Sequence, residues 1–138
     1  MDHRIVDLHV HSTESDGTLT PEDLVAEAKK VGLAAFALTD HDTCQGVCKA
    51  MPCAASAGIE LIPGIELSTD YHGKEVHIVG LYIDMENEQL LKKTAEYRKC
   101  RSERNALMVE ALQKEGLSIT MEELVAENPD CVITRANI

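Results

Sequence analysis

At 138 residues the chain is long enough to bury the core of a single domain. Its 24 acidic and 13 basic side chains leave a formal net charge of −11, which argues against nonspecific binding to duplex DNA. No apolar run approaches the ~20 residues of a membrane span, and the opening Met-Asp-His-Arg lacks the apolar stretch of a secretory leader, so a cytoplasmic location is expected.

Apolar residues make up 44%, but Trp is absent and Phe36 is the only phenylalanine, so the core must come mainly from Ala, Val, Leu and Ile. The five cysteines (Cys44, Cys48, Cys53, Cys100 and Cys131) are odd in number and lack CxxC spacing. That pattern indicates neither a disulfide framework nor a zinc knuckle, and reduced packed thiols are the plain reading. A thiolate ligand from Cys44 or Cys48, which could share a helix face, is the alternative.

Arg4 to Val10 reads as a first strand and carries His9-Val10-His11 at its end. Residues two apart on a strand point to one side, so both imidazoles can aim at one point. Asp16 follows a short loop later and would complete a nitrogen-and-oxygen donor set suited to zinc, manganese or iron. Its position before Gly17 is equally that of a plain turn residue. Thr20-Pro21-Glu22-Asp23 starts a helix with an N-cap hydroxyl, proline in the first turn and acids at the positive end. Leu24, Val25, Ala28 and Val31 give it an apolar stripe, and Gly32 ends it.

Leu33 to Thr39 is a continuous apolar run, as in a strand covered on both faces. It leads into Thr39-Asp40-His41-Asp42. A second helical region lies between Cys44 and Ala57, stopped by Gly58, and Pro52 should kink it or split it in two. Ile59 to Ser68 forms a third strand, bent or bulged at Pro63-Gly64 and carrying Glu66. Asp70 to Gly73 predicts a hairpin turn into a fourth strand, Val76 to Tyr82, which carries His77. A long helix from Asn87 to Glu115 follows, closed by Gly116, and Thr120 to Glu123 opens a short helix with a capping box. The β-α-β-α-β order predicts parallel strands covered by helices. In such folds the reacting groups gather at the C-terminal strand ends. His9, His11, Asp40, His41 and Glu66 all fall there.

At Asp7-Leu8-His9-Val10-His11-Ser12, then Asp16-Gly17, then Thr39-Asp40-His41-Asp42, the chain resembles the polymerase-and-histidinol-phosphatase (PHP) superfamily, and above all its small stand-alone phosphoesterases. Pro63-Gly64-Ile65-Glu66 and Val76-His77-Ile78-Val79-Gly80 match the next two motifs in order and spacing. The resemblance implies a distorted α/β barrel, here its N-terminal half, with up to three divalent ions (Mn²⁺, Fe²⁺ or Zn²⁺) at the strand ends. Carried over position by position, His9, His11 and Glu66 would hold one ion, and Asp16 and His41 a second. Glu66 would bridge to a third, which His77 also binds. The implied substrates are phosphate esters of nucleotides, such as nucleoside 3′,5′-bisphosphates, or the 5′ end of short RNA.

Two departures stand out. The family pattern continues with a further histidine and a late Asp-x-His pair, whereas no histidine follows His77 here. A complete barrel also needs roughly 250 residues. The expectation is therefore the N-terminal portion of a longer domain, with residues 87–138 as a helical segment starting an inserted subdomain. In Arg135-Ala136-Asn137, Asn137 stands where a histidine would be expected.

Clustered divalent ions suit phosphoester hydrolysis because they activate a bound water and stabilise the leaving oxygen. Singly, each histidine reads as an ordinary polar residue, but four of the six fall on motif positions. His3 and His72 do not, and read as surface residues; His72, in the turn, is a weak substrate contact. Asp7 could orient a ligand histidine, and Asp40 and Asp42 could do the same for His41, with Asp40 alternatively a proton shuttle. Ser12 and Ser15 have no base arranged for a triad. The long helix holds Lys92, Lys93, Arg98, Lys99, Arg101 and Arg104, six of the 13 basic residues. Arg101, Arg104 and Asn105 are candidates for gripping a substrate phosphate, with Arg135 a weaker one. A solvated face balanced by Glu96 and Glu103 is the alternative.

The sequence thus predicts a metal-dependent phosphoesterase acting on a phosphorylated small molecule or oligonucleotide. A catalytically silent metal-binding module is the rival. A half-barrel would also expose sheet edges that favour self-association. The acidity and scarcity of aromatics disfavour a nucleic-acid-binding regulator.

Overall fold

A computed structural model of the chain describes residues 5–127, together with residues 133 and 138. The elements run β1 (Val6–Val10), α1 (Pro21–Lys30), β2 (Ala35–Leu38), α2 (Gln45–Ala57), β3 (Glu60–Tyr71), β4 (Lys74–Leu81), α3 (Glu88–Lys114) and α4 (Met121–Glu127). The strands lie side by side in chain order. β1, β2 and the first four residues of β3 pair in parallel, with α1 and α2 as the crossovers. From Gly64 onward β3 pairs antiparallel with β4. The result is a mixed α/β fold with a curled half-barrel sheet.

Pairing changes direction at Pro63-Gly64. Pro63 is the last residue of β3 in register with β2, and Gly64 is the first in register with β4. Proline at the seam removes one ladder donor where the two pairings meet. A Cβ on Gly64 would press into the Thr39 side chain and the Leu38 carbonyl.

Alternation along β2 divides the core. Phe36 and Leu38 join Val25 and Ala28 of α1, Val47, Ala50 and Ala54 of α2, and Leu61. Ala35 and Ala37 face the other way, with Ile62 and Leu81 beside them. Small residues on that concave side let the sheet curl. A separate apolar cluster of Val109, Leu124 and Ile133 packs α3 against α4.

The helix signals act as read. Thr20 caps α1 by accepting from the Asp23 amide at 3.1 Å. Thr120 and Glu123 exchange both capping-box bonds at the start of α4. α2, however, runs unbroken through Pro52, so the expected split does not occur. Pro52 and Cys48, whose carbonyl loses its helical donor, are both exposed, and water can take the missing bond.

The hairpin turn is tighter than expected. Strand pairing extends to Tyr71 and Lys74, leaving a loop of His72 and Gly73. Their φ values of +53° and +75° mark a type I′ turn. Tyr71 and His72 stack edge-to-face there at 4.3 Å. β1 and β4 are the two edges of the sheet, and Val6, Leu8, Val76 and Ile78 on them are exposed. No described helix is long and apolar enough to cross a membrane.

Candidate metal centre

The site begins with a defect in β1. The register with β2 gains one residue between Asp7 and Val10, which is a β-bulge. The Asp7 carboxylate accepts from the freed His9 amide at 3.2 Å, so it supports His9 through the backbone rather than the ring. The loop after β1 then folds back on Asp40, which is 1% exposed. Asp40 Oδ1 accepts from the Ser12 amide at 2.7 Å and the Ser15 hydroxyl at 2.8 Å, and Oδ2 from the Ser12 hydroxyl at 2.7 Å. These bonds fit Asp40 to hold the loop that carries Asp16, and none of them is to the His41 ring. The two serines anchor the loop, and Ser15 Oγ also lies 3.3 Å from His11 Nδ1. Gly17 closes it, since a Cβ there would collide with the His11 backbone.

β2 and β3 deliver the next two donors together. Three residues beyond their last laddered pair, an isolated parallel bridge joins His41 to Glu66. The Glu66 amide donates to the Asp40 carbonyl at 3.2 Å, and the Asp42 amide to the Glu66 carbonyl at 2.9 Å. His77 arrives on β4 diagonally across from Glu66, which itself pairs with Val79.

Six side chains converge. Glu66 Oε2 lies 2.8 Å from His9 Nε2 and 2.9 Å from His11 Nε2, and those two nitrogens are 3.0 Å apart. Glu66 Oε1 takes His77 Nδ1 at 2.7 Å. Asp16 reaches His11 Nδ1 at 3.1 Å and His41 Nε2 at 3.5 Å. The imidazoles of His9, His11, His41 and His77 form a row with centroids 5.0, 4.7 and 4.9 Å apart. The donors fall into three overlapping triads: His9, His11 and Glu66; His11, Asp16 and His41; His41, Glu66 and His77.

The donor set fits divalent cations. Donors roughly 2 Å from a shared ion stand roughly 3–3.5 Å from one another. The first triad has nearly that spacing. His41 Nδ1 is buried without a hydrogen-bond partner, which is costly unless something binds it. Burial lowers the His41 pKa despite the nearby Asp16 and Glu66 charges, leaving a neutral ring with a free lone pair. At Glu66 burial pushes the other way, but hydrogen bonds from His9 and His77 and the His41 and His11 rings outweigh it and hold the carboxyl below its ordinary range. His77 is likewise pulled down by burial, yet its bonds to Glu75 and Glu66 carry it above the usual imidazole value.

The helix candidates sit differently from expectation. Arg101 is buried, with one amino group on Asp42 Oδ2 at 2.7 Å and on the Ser68 hydroxyl. Asp42 is thereby engaged with α3 rather than with the His41 ring. Asn105 is turned away from the centre and donates to the Ile133 carbonyl at 2.6 Å. Only Arg104 of the three is substantially open, with its side chain 37% exposed. It meets Glu75 at 3.5 Å, and Glu75 meets His77 Nε2 at 3.2 Å. Glu75 was missed by the sequence reading, although its place two residues before His77 puts it on the same strand face. A cavity of about 640 Å³ lies between this hairpin and α3, lined by Ser68, Thr69, Glu75, Tyr97, Arg101 and Arg104 among others.

Arg135 and Asn137 lie outside the described residues. Cys44 is buried and belongs to none of the triads; burial, with Cys48 nearby, pushes its thiol up, which does not suit a thiolate ligand.

A family model for the PHP domain matches residues 7–127. The chain is 39% identical over 120 residues to the 5′-3′ exoribonuclease Rnm of Escherichia coli, covering 86% of this chain and 41% of that protein. It is 36% identical over 129 residues to a 3′,5′-nucleoside bisphosphate phosphatase of Chromobacterium violaceum, covering 92% and 45%. Among solved structures, a candidate metal-dependent phosphoesterase from Bifidobacterium adolescentis superposes with TM-score 0.89 at 33% identity, over 98% of this chain and 48% of that one. A second, described as an amidohydrolase from Chromobacterium violaceum with bound sulfate and no metal, gives 0.88 at 34%, over 96% and 47%. The chain spans less than half the length of each of these four proteins.

Proposed function

The chain belongs to the PHP domain family, and from that premise we propose that its centre serves metal-dependent hydrolysis of a phosphate ester in a nucleotide-like substrate. The substrate classes we propose are nucleoside 3′,5′-bisphosphates and the 5′ end of short RNA, after the activities named for the two relatives. The observation that carries the reading is the convergence of six donors in three overlapping triads, two of which share Glu66.

His9, His11, Asp16, His41, Glu66 and His77 would hold the ions, with Mn²⁺, Fe²⁺ and Zn²⁺ all compatible with nitrogen and carboxylate donors. Bound divalent ions would supply Lewis-acid charge and a water of lowered pKa. The protein's own part is to fix those donors. Asp40 does so by position, through Ser12 and Ser15, and Asp16 also sits where it can select the His11 tautomer. Arg104, at the mouth of the cavity beside Glu75, is the side chain best exposed to meet a substrate phosphate.

Elemental analysis after dialysis against trace Mn²⁺, Fe²⁺ and Zn²⁺, followed by phosphate release from nucleoside bisphosphates and 5′-phosphorylated oligonucleotides, tests the reading. Two or more retained ions with turnover support it, and no retained metal defeats it. Metal retention without turnover would favour the second reading, a metal-binding module. That reading draws on the open flank of the centre, where the His9 side chain is 50% exposed. The exposed apolar residues on β1 and β4 also support self-association. Sedimentation as a monomer at high concentration would remove that part.

A further inference from the structure

We propose that Arg101 is a positioning residue of the centre, acting through Asp42 to hold His41 against Glu66. The inference rests on the metal-dependent reading above, and it concerns a helix that contributes no donor to the three triads.

Asp42 is the link between the two. Its φ of +55° is in the left-handed region, which non-glycine residues enter at a cost and Asp more readily than most. It directly follows His41, so its conformation sets the direction in which the chain leaves the ring. Its amide and both carboxylate oxygens are spent on that geometry. The amide donates to the Glu66 carbonyl at 2.9 Å, and Oδ1 accepts from the Ser68 amide at 2.9 Å. Oδ2 accepts from Arg101 at 2.7 Å. Asp42 thus grips β3 at Glu66 and again two residues later, with His41 on its other side.

The carboxylate is 1% exposed and the Arg101 side chain 7%, so neither charge has water to fall back on. A buried pair of this kind adds little net stability but fixes geometry, because each partner is costly without the other. Arg101 also donates to the Ser68 hydroxyl, which puts one guanidinium across the two residues that align β3 with the loop after β2. Beside it, Arg104 meets Glu75, and Glu75 meets His77. α3 therefore touches the supports of the centre at two points while leaving the donors themselves free.

The Arg101 Nε is buried without a hydrogen-bond partner, and the residue lines the cavity between α3 and the hairpin. What enters that cavity meets the residue that tethers Asp42.

The test compares R101M, R101K, D42N and the R101M/D42N double variant of the same chain. One readout is Mn²⁺ affinity by calorimetry, and the other is the His41 ring signals in nitrogen-correlated spectra of the metal-free protein. R101M is expected to weaken Mn²⁺ binding by about tenfold, as loss of a support behind a ligand does. The double variant should fall no further than the worse single variant, and R101K should recover part of the loss. His41 ring signals should move in R101M. R101M with Mn²⁺ affinity within about twofold of the parent and unmoved His41 signals overturns the proposal. If the parent itself binds none of Mn²⁺, Fe²⁺ and Zn²⁺, the metal reading fails, and the metal-free ring signals alone decide the positioning role. Should R101M not fold, R101K decides by the same two readouts, since it keeps the charge and loses the fork.

Discussion

His41 and Glu66 stand side by side because their backbones, not their side chains, are paired. The parallel bridge between them joins a residue past the end of β2 to the interior of β3, with the Asp40 carbonyl and Asp42 amide as its two contacts to Glu66. The site thus inherits its spacing from the sheet. The same pairing lets a buried carboxylate be held among four imidazoles without a dedicated cation of its own.

Glu66→Gln keeps that backbone pairing and the side-chain volume while removing the charge that two of the three triads share. Mn²⁺ affinity should fall by about 100-fold or more, since loss of even a supporting group costs 10–100-fold. Calorimetric titration of both proteins checks it. The fold should survive, with circular dichroism unchanged.

Asp40→Ala should act on stability first. It strands the hydroxyls of Ser12 and Ser15 and the Ser12 amide in a buried space, and a loss of about 3 kcal/mol is expected. Gly46→Ala attacks the same knot from α2, because its Cβ would run into the Asp40 carboxylate and the Ser12 hydroxyl. Urea unfolding of the two variants should show both destabilised. Their effects should be less than additive, as they disturb one network.

His77 gives a pH signature in the metal-free protein. Its pKa is raised in the folded state, so its contribution is complete below the ordinary imidazole value and disappears as pH rises through the folded value. His77→Ala should therefore cost more stability on the acid side of the imidazole range than on the alkaline side. The ring is about one-third exposed, so the difference should stay within about 1 kcal/mol. Urea midpoints for parent and variant across that range would show it, and a pH-independent gap would contradict it.

Pro52→Ala should stabilise. α2 already runs through this exposed position, and alanine restores a donor for the Cys48 carbonyl. Some of the gain is offset by a freer unfolded chain, leaving about 1–2 kcal/mol and a higher Tm by calorimetry.

Motif spacing made the donors legible, because strand parity and strand-end position are local properties that a sequence displays. The spacing of His9, His11, His41 and Glu66 along their strands is enough to assign them to one end of a sheet. What lay hidden was the wiring behind them. Arg101 read either as a phosphate contact or as part of a solvated face, because nothing in a helix reveals which residue 59 positions earlier will meet it. Asp40 and Asp42 flank the same histidine, yet one turns to Ser12 and Ser15 and the other to α3, a choice made by long-range packing. Asn105 belongs to the α3–α4 cluster for the same reason. Pro52 misled in part: the expected split presumes a carbonyl with no access to water.

The two-residue turn at His72-Gly73 gives the β3–β4 hairpin a phase. With no slack at the tip, the parity of each arm is counted from the turn, and the meeting of Glu66 with His77 depends on that count. One residue added to either arm would send His77 to the opposite side of the sheet. Two would restore the side but move the ring one pleat, roughly 7 Å, along the strand. A hairpin built this way tolerates substitution along its arms far better than any change in length.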